Sequence, residues 1–224
     1  MTWMNKVMMA FLVVTMVYAC DNKKGKASMP ATTIMNIAND SINTKYKKLL
    51  SDGADAYIKA LNDFDWFIEK TDPDKEKILK RIKSDLSSYT FLALSDLHFD
   101  AEGFENAEAY KLLILDVIKL TNTREKIDGL IVTQDTDFIN ISVTTRENKA
   151  LNYAIDLREN QDWLDDAFFE KFINNSLLKE TNSLKRCFFL PGTDQTVYII
   201  VASPTSFLRA KASGLIPEES YFIE

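Results

Sequence analysis

The sequence has one histidine, His98, and two cysteines, Cys20 and Cys187. One histidine cannot supply the paired histidines of a two-metal hydrolase centre, and two cysteines allow one disulfide at most. Six glycines and five prolines in 224 residues argue against a disordered or low-complexity body. The formal charge of −6 argues against nucleic-acid binding, because a phosphate backbone requires a basic protein face.

Short motifs with a defined chemistry are also missing. There is no Gly-x-Ser-x-Gly turn, no phosphate-binding loop and no dinucleotide-binding glycine pattern. A catalytic cysteine would need a histidine partner, whereas Cys187 lies in the apolar run RCFFL and is predicted to be a buried thiol. No pattern points to a cofactor.

The N-terminus, in contrast, carries a strong signal. Lys6 precedes an apolar run from Val7 to Ala19, which is too short for a mature membrane-spanning helix but suits a secretory signal. The run ends in VYAC, with the small Ala19 directly before Cys20. The polar segment that follows contains Gly25 and Pro30 and shows no periodicity, which is typical of a tether.

The VYAC sequence resembles the lipobox of bacterial lipoproteins. The resemblance implies cleavage before Cys20 and attachment of acyl chains to it, and several acyl chains anchor a protein stably. We therefore expect a signal peptide over residues 1–19, a lipidated Cys20 with a tether over residues 20–40, and one globular domain over residues 41–224. The protein would be anchored in a cell membrane by lipid, facing the periplasm or the cell exterior.

The first half of the body is predicted to be helical. Apolar residues recur at steps of three and four over residues 42–70, 74–92 and 104–122. Thr71-Asp72-Pro73-Asp74 separates the first two helices, since proline and early acids suit a helix start. The third contains the dense apolar run LLIL and is expected to be the most buried.

The second half mixes strands and helices. Alternating or β-branched runs predict strands over about residues 130–157 and 185–202, joined by polar turns. A fourth helix, capped by Asn160, is expected over about residues 160–179, and Ser203-Pro204 predicts a short closing helix. Helices followed by closely linked strands predict an α+β fold with a mostly antiparallel sheet.

The only other candidate site is LSDLHFDAEG, whose SDLHF resembles the first metal-binding motif of calcineurin-like metallophosphoesterases. The family's other motifs are absent, so we reject that membership. Asp96, His98, Asp100 and Glu102 alternate, and an extended chain would place all four on one side, where they could hold a single cation. The simpler interpretation is a polar bend between the second and third helices.

Two classes of function therefore remain, with a third behind them. The first is a membrane-tethered, non-catalytic protein that binds a protein partner, as an assembly factor, an accessory subunit or a toxin-neutralising immunity protein. The second is a metal-dependent hydrolase with a carboxylate and histidine site at residues 96–102, and the third is a carrier of a lipid or another apolar ligand. The acidic residues Asp162, Asp165 and Asp166 suit the dipole of the fourth helix, or a basic partner.

Overall fold

The computed structural model describes residues 44–68, 70–84, 86, 94–193 and 195–217. Within them, helices and two antiparallel sheets form an α+β fold, which confirms the predicted class. Cys20, the tether and the end of the predicted second helix lie outside the described residues.

The N-terminal helices differ from the predicted pattern at one point. Residues 44–51 are helical, and α1 (Ala54–Asp63) follows after an interruption at Gly53, so the expected single helix over residues 42–70 is wrong. Gly53 adopts a φ of 93°, a conformation that L side chains disfavour and that no α-helix continues through. Next comes α2 (Asp72–Ser84), which starts near the predicted proline signal and buries Ile78 and Ile82.

The first sheet contains β1 (Leu97–Asp100), β6 (Thr196–Ala202) and β5 (Arg186–Thr193), in that order. Our interpretation of residues 94–103 as a bend is therefore wrong, because β1 pairs with β6 from Leu97 opposite Ile199 to Asp100 opposite Thr196. The segment has only two apolar residues at alternating positions, too few for the strand pattern to stand out from its acids.

The second sheet contains β2 (Ile127–Gln134), β3 (Phe138–Thr145) and β4 (Ala150–Asp156), which form a meander. The alternation in FINISVTT puts the odd-numbered residues from Ile139 to Thr145 inside and leaves Asn140 exposed. The predicted strands and polar turns in this region are confirmed.

The predicted fourth helix over about residues 160–179 starts later than expected, because Asn160 ends a short preceding helix and residues 161–167 are not helical. Asp156, not Asn160, caps α4 (Leu157–Asn160) by accepting the amide hydrogen of Arg158. After a loop, a π-helix runs over Phe168–Leu178. Its i→i+5 hydrogen bonding widens the helix and turns a broad apolar face inward; the buried residues are Phe168, Phe169, Phe172, Ile173, Asn174, Leu177 and Leu178.

Side chains cap two further α-helices. In α3 (Ala107–Leu120), the Asn106 side chain accepts the amide hydrogen of Ala109. In α5 (Pro204–Ser213), Ser203 caps and proline takes the first position, as predicted. The apolar run in α3 buries Leu113 and Ile114 but leaves Leu112 more than half exposed.

Two hydrophobic cores share the first sheet. One face of that sheet packs with α3, the π-helix and the second sheet, and it presents Leu97, Cys187, Ile199 and Val201. The opposite face packs with α1, α2 and α5, and it presents Phe188, Leu190, Ile200 and Ala202. The first sheet is therefore the middle layer of the molecule.

Candidate functional site, a groove beside Trp163

The Asp96 side chain is a structural element of the fold. Its carboxylate forms an ion pair with Lys70, and both side chains are almost completely buried. The other carboxylate oxygen accepts the amide hydrogen of Val201 at 2.8 Å. Asp96 thus joins the chain after α1 to strand β6, and both of its oxygens are occupied by protein donors.

The rest of the alternating strip does not gather around a common point. His98 is exposed on β1, and partial burial together with Arg81 and Lys77 lowers its pKa. The Asp100 carboxylate accepts the amide hydrogen of Glu102 at 3.0 Å. Among the described residues, no three His, Cys, Asp or Glu side chains are grouped so that they could hold a metal ion.

Cys187 is a fully buried free thiol, as predicted. Burial raises its pKa far above the usual range, and the negative charge of Asp96 adds to the effect. The buried Asn174 side chain forms hydrogen bonds with both backbone polar groups of Cys187. Its Nδ2 donates to the Cys187 carbonyl at 3.0 Å, and its Oδ1 accepts the Cys187 amide hydrogen at 2.9 Å. Asn174 therefore closes the outer edge of β5 at this point.

A groove of about 720 Å³ opens between the end of the β5–β6 hairpin and the segment that joins α4 to the π-helix. Its volume lies within the range of ligand-binding sites in proteins. It is lined by Ala101, Glu159, Asn160, Trp163, Leu164, Asp166, Phe169, Phe189, Leu190, Pro191, Gly192, Thr196 and Val197.

The loop that carries Trp163 is fixed to the end of β1 by backbone hydrogen bonds. The amide of Leu164 donates to the carbonyl of Ala101 at 2.8 Å, and the amide of Phe104 donates to the carbonyl of Asp162 at 2.8 Å. A bridge between Glu102 and Trp163 lies between these bonds. The Trp163 backbone is thus held in place while 42% of its surface stays exposed.

The floor of the groove is aromatic. Phe169, in the first turn of the π-helix, packs edge-on against Phe189 of β5 with 5.3 Å between ring centroids. Phe99 of β1 stacks on the Phe169 ring, with 6.4 Å between the two ring centroids. The Phe169 ring is thus packed between β1 and β5.

The opposite wall depends on Gly192. A Cβ atom at this position would lie 2.4 Å from the carbonyl oxygen of Thr196, a distance that real Cβ atoms do not adopt. The close approach of the two hairpin strands therefore requires glycine here. Pro191, beside it, has no amide hydrogen and cannot extend the sheet to another strand.

Negative charge lies at the rim of the groove. Glu159 and Asp166 are exposed, and the lining includes no lysine, arginine or histidine. The neighbouring Asp165 is engaged within the protein, since Tyr153 donates its hydroxyl hydrogen to it at 2.8 Å and Ala167 donates its amide hydrogen at 2.8 Å. Burial, followed by the hydrogen bond to Asp165, raises the pKa of Tyr153.

No family model, curated protein or solved structure matches this chain. Among the described residues, no helix is long and apolar enough to cross a membrane. The groove was not predicted from the sequence, because it combines segments near residues 101, 159–169 and 189–197. One signal was visible, namely a tryptophan within the acidic stretch ENQDWLDD.

Proposed function

We propose that this protein is a lipid-anchored component of a bacterial cell envelope that binds a protein partner through the groove beside Trp163. The observation that carries the binding role is a groove of about 720 Å³ with an aromatic floor and an exposed tryptophan at its rim. Exposed aromatic side chains over apolar pockets are frequent anchors of protein interfaces.

The lining favours binding over catalysis. It offers no histidine, cysteine, serine or lysine as nucleophile or base, and its two carboxylates are exposed. A carboxyl that works as a general acid near neutral pH is held in an apolar environment, unlike these two. The strip at residues 96–102 does not support the metal-dependent hydrolase either, because Asp96 is already paired with Lys70.

The lipid anchor rests on the sequence of the N-terminus. Cys20 after VYA and the polar segment to residue 40 would place the folded domain a short distance from the membrane, facing the periplasm or the cell exterior. Such a position suits an assembly factor, an accessory subunit or an immunity protein. Labelling cells with a palmitate analogue tests this part: the full chain should incorporate label, and Cys20→Ser should abolish incorporation.

A carrier of an apolar ligand is the second candidate, and the aromatic floor of the groove favours it. The lining has no cationic side chain to hold a fatty-acid carboxylate or a phospholipid headgroup, which argues for a protein partner instead. Native mass spectrometry of the full chain separates the two. A co-purifying lipid in the native protein that is lost in Trp163→Ala would favour the carrier.

Two matched variants test the binding role. Trp163 and Ile131 are both exposed apolar residues, with 42% and 63% of their surfaces accessible. Ile131 lies on the open face of the second sheet, which is the face directed away from the hydrophobic core. After crosslinking in cells, Trp163→Ala should lose the stoichiometric partner that the native chain and Ile131→Ala recover. Equal recovery by both variants would contradict binding at this groove.

A further inference from the structure

The charged residues that line the groove are all acidic. The segment ENQDWLDD from residue 159 to residue 166 has four acidic residues and no basic one. Glu159 and Asp166 line the groove, and Asp162 is exposed on the loop between them. A ligand that covers this rim must offset the loss of water around at least two carboxylates, which favours a ligand with more than one positive charge.

The apolar part of the groove restricts the ligand further. Lysine and arginine side chains have apolar stems that lie along apolar surfaces while the charged end stays near water or an acid. An ammonium or guanidinium group is also attracted to the face of an exposed tryptophan ring. Phe169, Phe189 and Val197 would contact apolar parts of the ligand, with Trp163 and the carboxylates at the rim.

We infer that the groove binds a polypeptide segment of the partner in which lysine or arginine residues alternate with apolar residues. This inference rests on the proposed function and adds the chemistry of the partner to it. A single small amine would neutralise one carboxylate and leave the other unpaired, whereas a segment with two basic residues reaches both.

The adjacent residues Asp165 and Asp166 have different roles, so variants of the two should affect different properties, stability for one and binding for the other. The Asp165 carboxylate accepts hydrogen bonds from Tyr153 and Ala167, so its removal should lower stability. Asp166 is exposed and lines the groove, so its removal should weaken binding with little effect on folding. Glu159 is also exposed and lines the groove, so its removal should have the same effect as the removal of Asp166.

The test is an array of hexapeptides read with the full chain in a nonionic detergent. The third and fifth positions are both lysine, both arginine, both norleucine or both glutamate, and the other positions are mixtures of apolar residues. We expect the basic peptides to bind at least about 10-fold more tightly than the norleucine and glutamate peptides. The preference should decrease as ionic strength rises, because rim charges are screened.

Two double variants with the same change in charge identify the carboxylates. Glu159→Gln with Asp166→Asn should reduce binding of the basic peptides by about 10-fold. Asp116→Asn with Glu147→Gln removes two exposed acids that do not line the groove, and should leave binding unchanged. Trp163→Ala should reduce binding by about 30-fold, without a shift in thermal unfolding.

The outcomes separate this inference from the proposed function. Tighter binding of norleucine or glutamate peptides, no binding of any peptide, or equal losses in both double variants would overturn the inference. Binding of a simple alkylamine as tight as that of the dibasic peptides would overturn it as well, in favour of a small cationic ligand. In each case a partner recovered through Trp163 in cells would leave the proposed function intact.

Discussion

The two sheets have the same number of strands and the same antiparallel pairing, but different surroundings. Both faces of the first sheet are covered, by the second sheet and α3 on one side and by α1, α2 and α5 on the other. Only one face of the second sheet is covered, and its open face presents mostly polar or small residues such as Asn140, Ser142 and Asn152, together with Ile131. The sequences reflect this difference, since VYIIVA in β6 is continuously apolar whereas FINISVTT in β3 alternates.

The comparison shows where a binding surface can arise. The open face of the second sheet is uncharged over its central strand, whereas the first sheet is covered until its β5–β6 hairpin extends to the groove. There the half-buried Phe189 and the buried Phe169, which belong to the core shared with the second sheet, line the groove. The groove is therefore an exposed end of the central layer of the molecule.

The largest effect should come from adjacent residues in the two central strands. Ile199 and Ile200 point to opposite faces of β6 and are both completely buried. Replacing both by alanine should cost about 4–10 kcal/mol, because each Ile→Ala change in a core costs about 2–5 kcal/mol. In β3, Ile141→Ala with Ser142→Ala should cost only about 2–5 kcal/mol, since just one side is buried. Urea unfolding measures both.

Equal losses of unfolding free energy in the two double variants would contradict the conclusion that the first sheet is buried on both faces and the second sheet on one. The single variants locate the difference: Ile200→Ala should resemble Ile199→Ala, while Ser142→Ala should stay within about 0.5 kcal/mol of the native protein.

The ion pair between Lys70 and Asp96 should have the next largest effect. Removal of one partner of a buried pair costs about 3–5 kcal/mol, so Lys70→Met is expected to lower the free energy of unfolding by that amount. Adding Asp96→Asn should restore part of the loss, because the amide oxygen can still accept the Val201 amide hydrogen without a buried charge. A double-mutant cycle measures this coupling.

The exposed pair of Lys48 and Asp52 is the matched control, since its side chains are 71% and 45% exposed. Its coupling should be below about 1 kcal/mol. If the coupling between Lys70 and Asp96 is as small as that between Lys48 and Asp52, the Asp96 carboxylate does not link the helical layer to β6.

Asn174 tests how the outer edge of the first sheet is closed. Asn174→Ala leaves the N–H and carbonyl of Cys187 without their side-chain partners, and should cost about 2–3 kcal/mol. The neighbouring Asn175 is exposed, so Asn175→Ala should change stability by less than about 0.5 kcal/mol. In a Cys20→Ser background, the Cys187 thiol should react with an aromatic disulfide reagent faster in Asn174→Ala than in Asn175→Ala. Equal reactivity would contradict the role given to Asn174.

The smallest effect concerns high pH. Burial raises the pKa of Tyr110, in the core with the second sheet, to about 12, and it raises the pKa of Tyr57, in the helical core, as well. The folded state favours the neutral phenols, so their contribution is complete below about pH 10 and is lost as pH rises towards the folded pKa. Unfolding free energies between about pH 8 and pH 11 should therefore fall less steeply in Tyr110→Phe and in Tyr57→Phe. An unchanged slope in either variant would exclude that tyrosine as a source.

Much of the fold could be predicted because local signals agreed with tertiary burial. The alternation in β3, the apolar runs of β5 and β6 and the Ser203-Pro204 cap all produced the expected elements. The predictions failed where a local pattern had two physical solutions. Phe168, Phe172 and Ile173 fit an α-helical stripe as well as a π-helical one, so their spacing did not separate the two helix types.

Strand β1 and the groove were missed for a related reason. The acids at residues 96–102 resembled a metal-binding strip, yet Asp96 turns inward because Lys70, 26 residues away, provides a buried partner. Likewise, only the folded chain brings Trp163 beside Phe189 and Gly192. Contacts between distant segments decide both features, and a single sequence does not contain their pairing.

The aromatic photo-crosslinking amino acid benzoylphenylalanine, placed at one of two positions in the full chain expressed in cells, tests the central claim most directly, because it keeps an aromatic ring in place of Trp163. Position 163 lies at the groove, and position 152 lies on the open face of the second sheet. We expect a specific protein adduct from position 163 that Glu159→Gln with Asp166→Asn diminishes, and no such adduct from position 152. A specific adduct from position 152, with none from position 163, would contradict it.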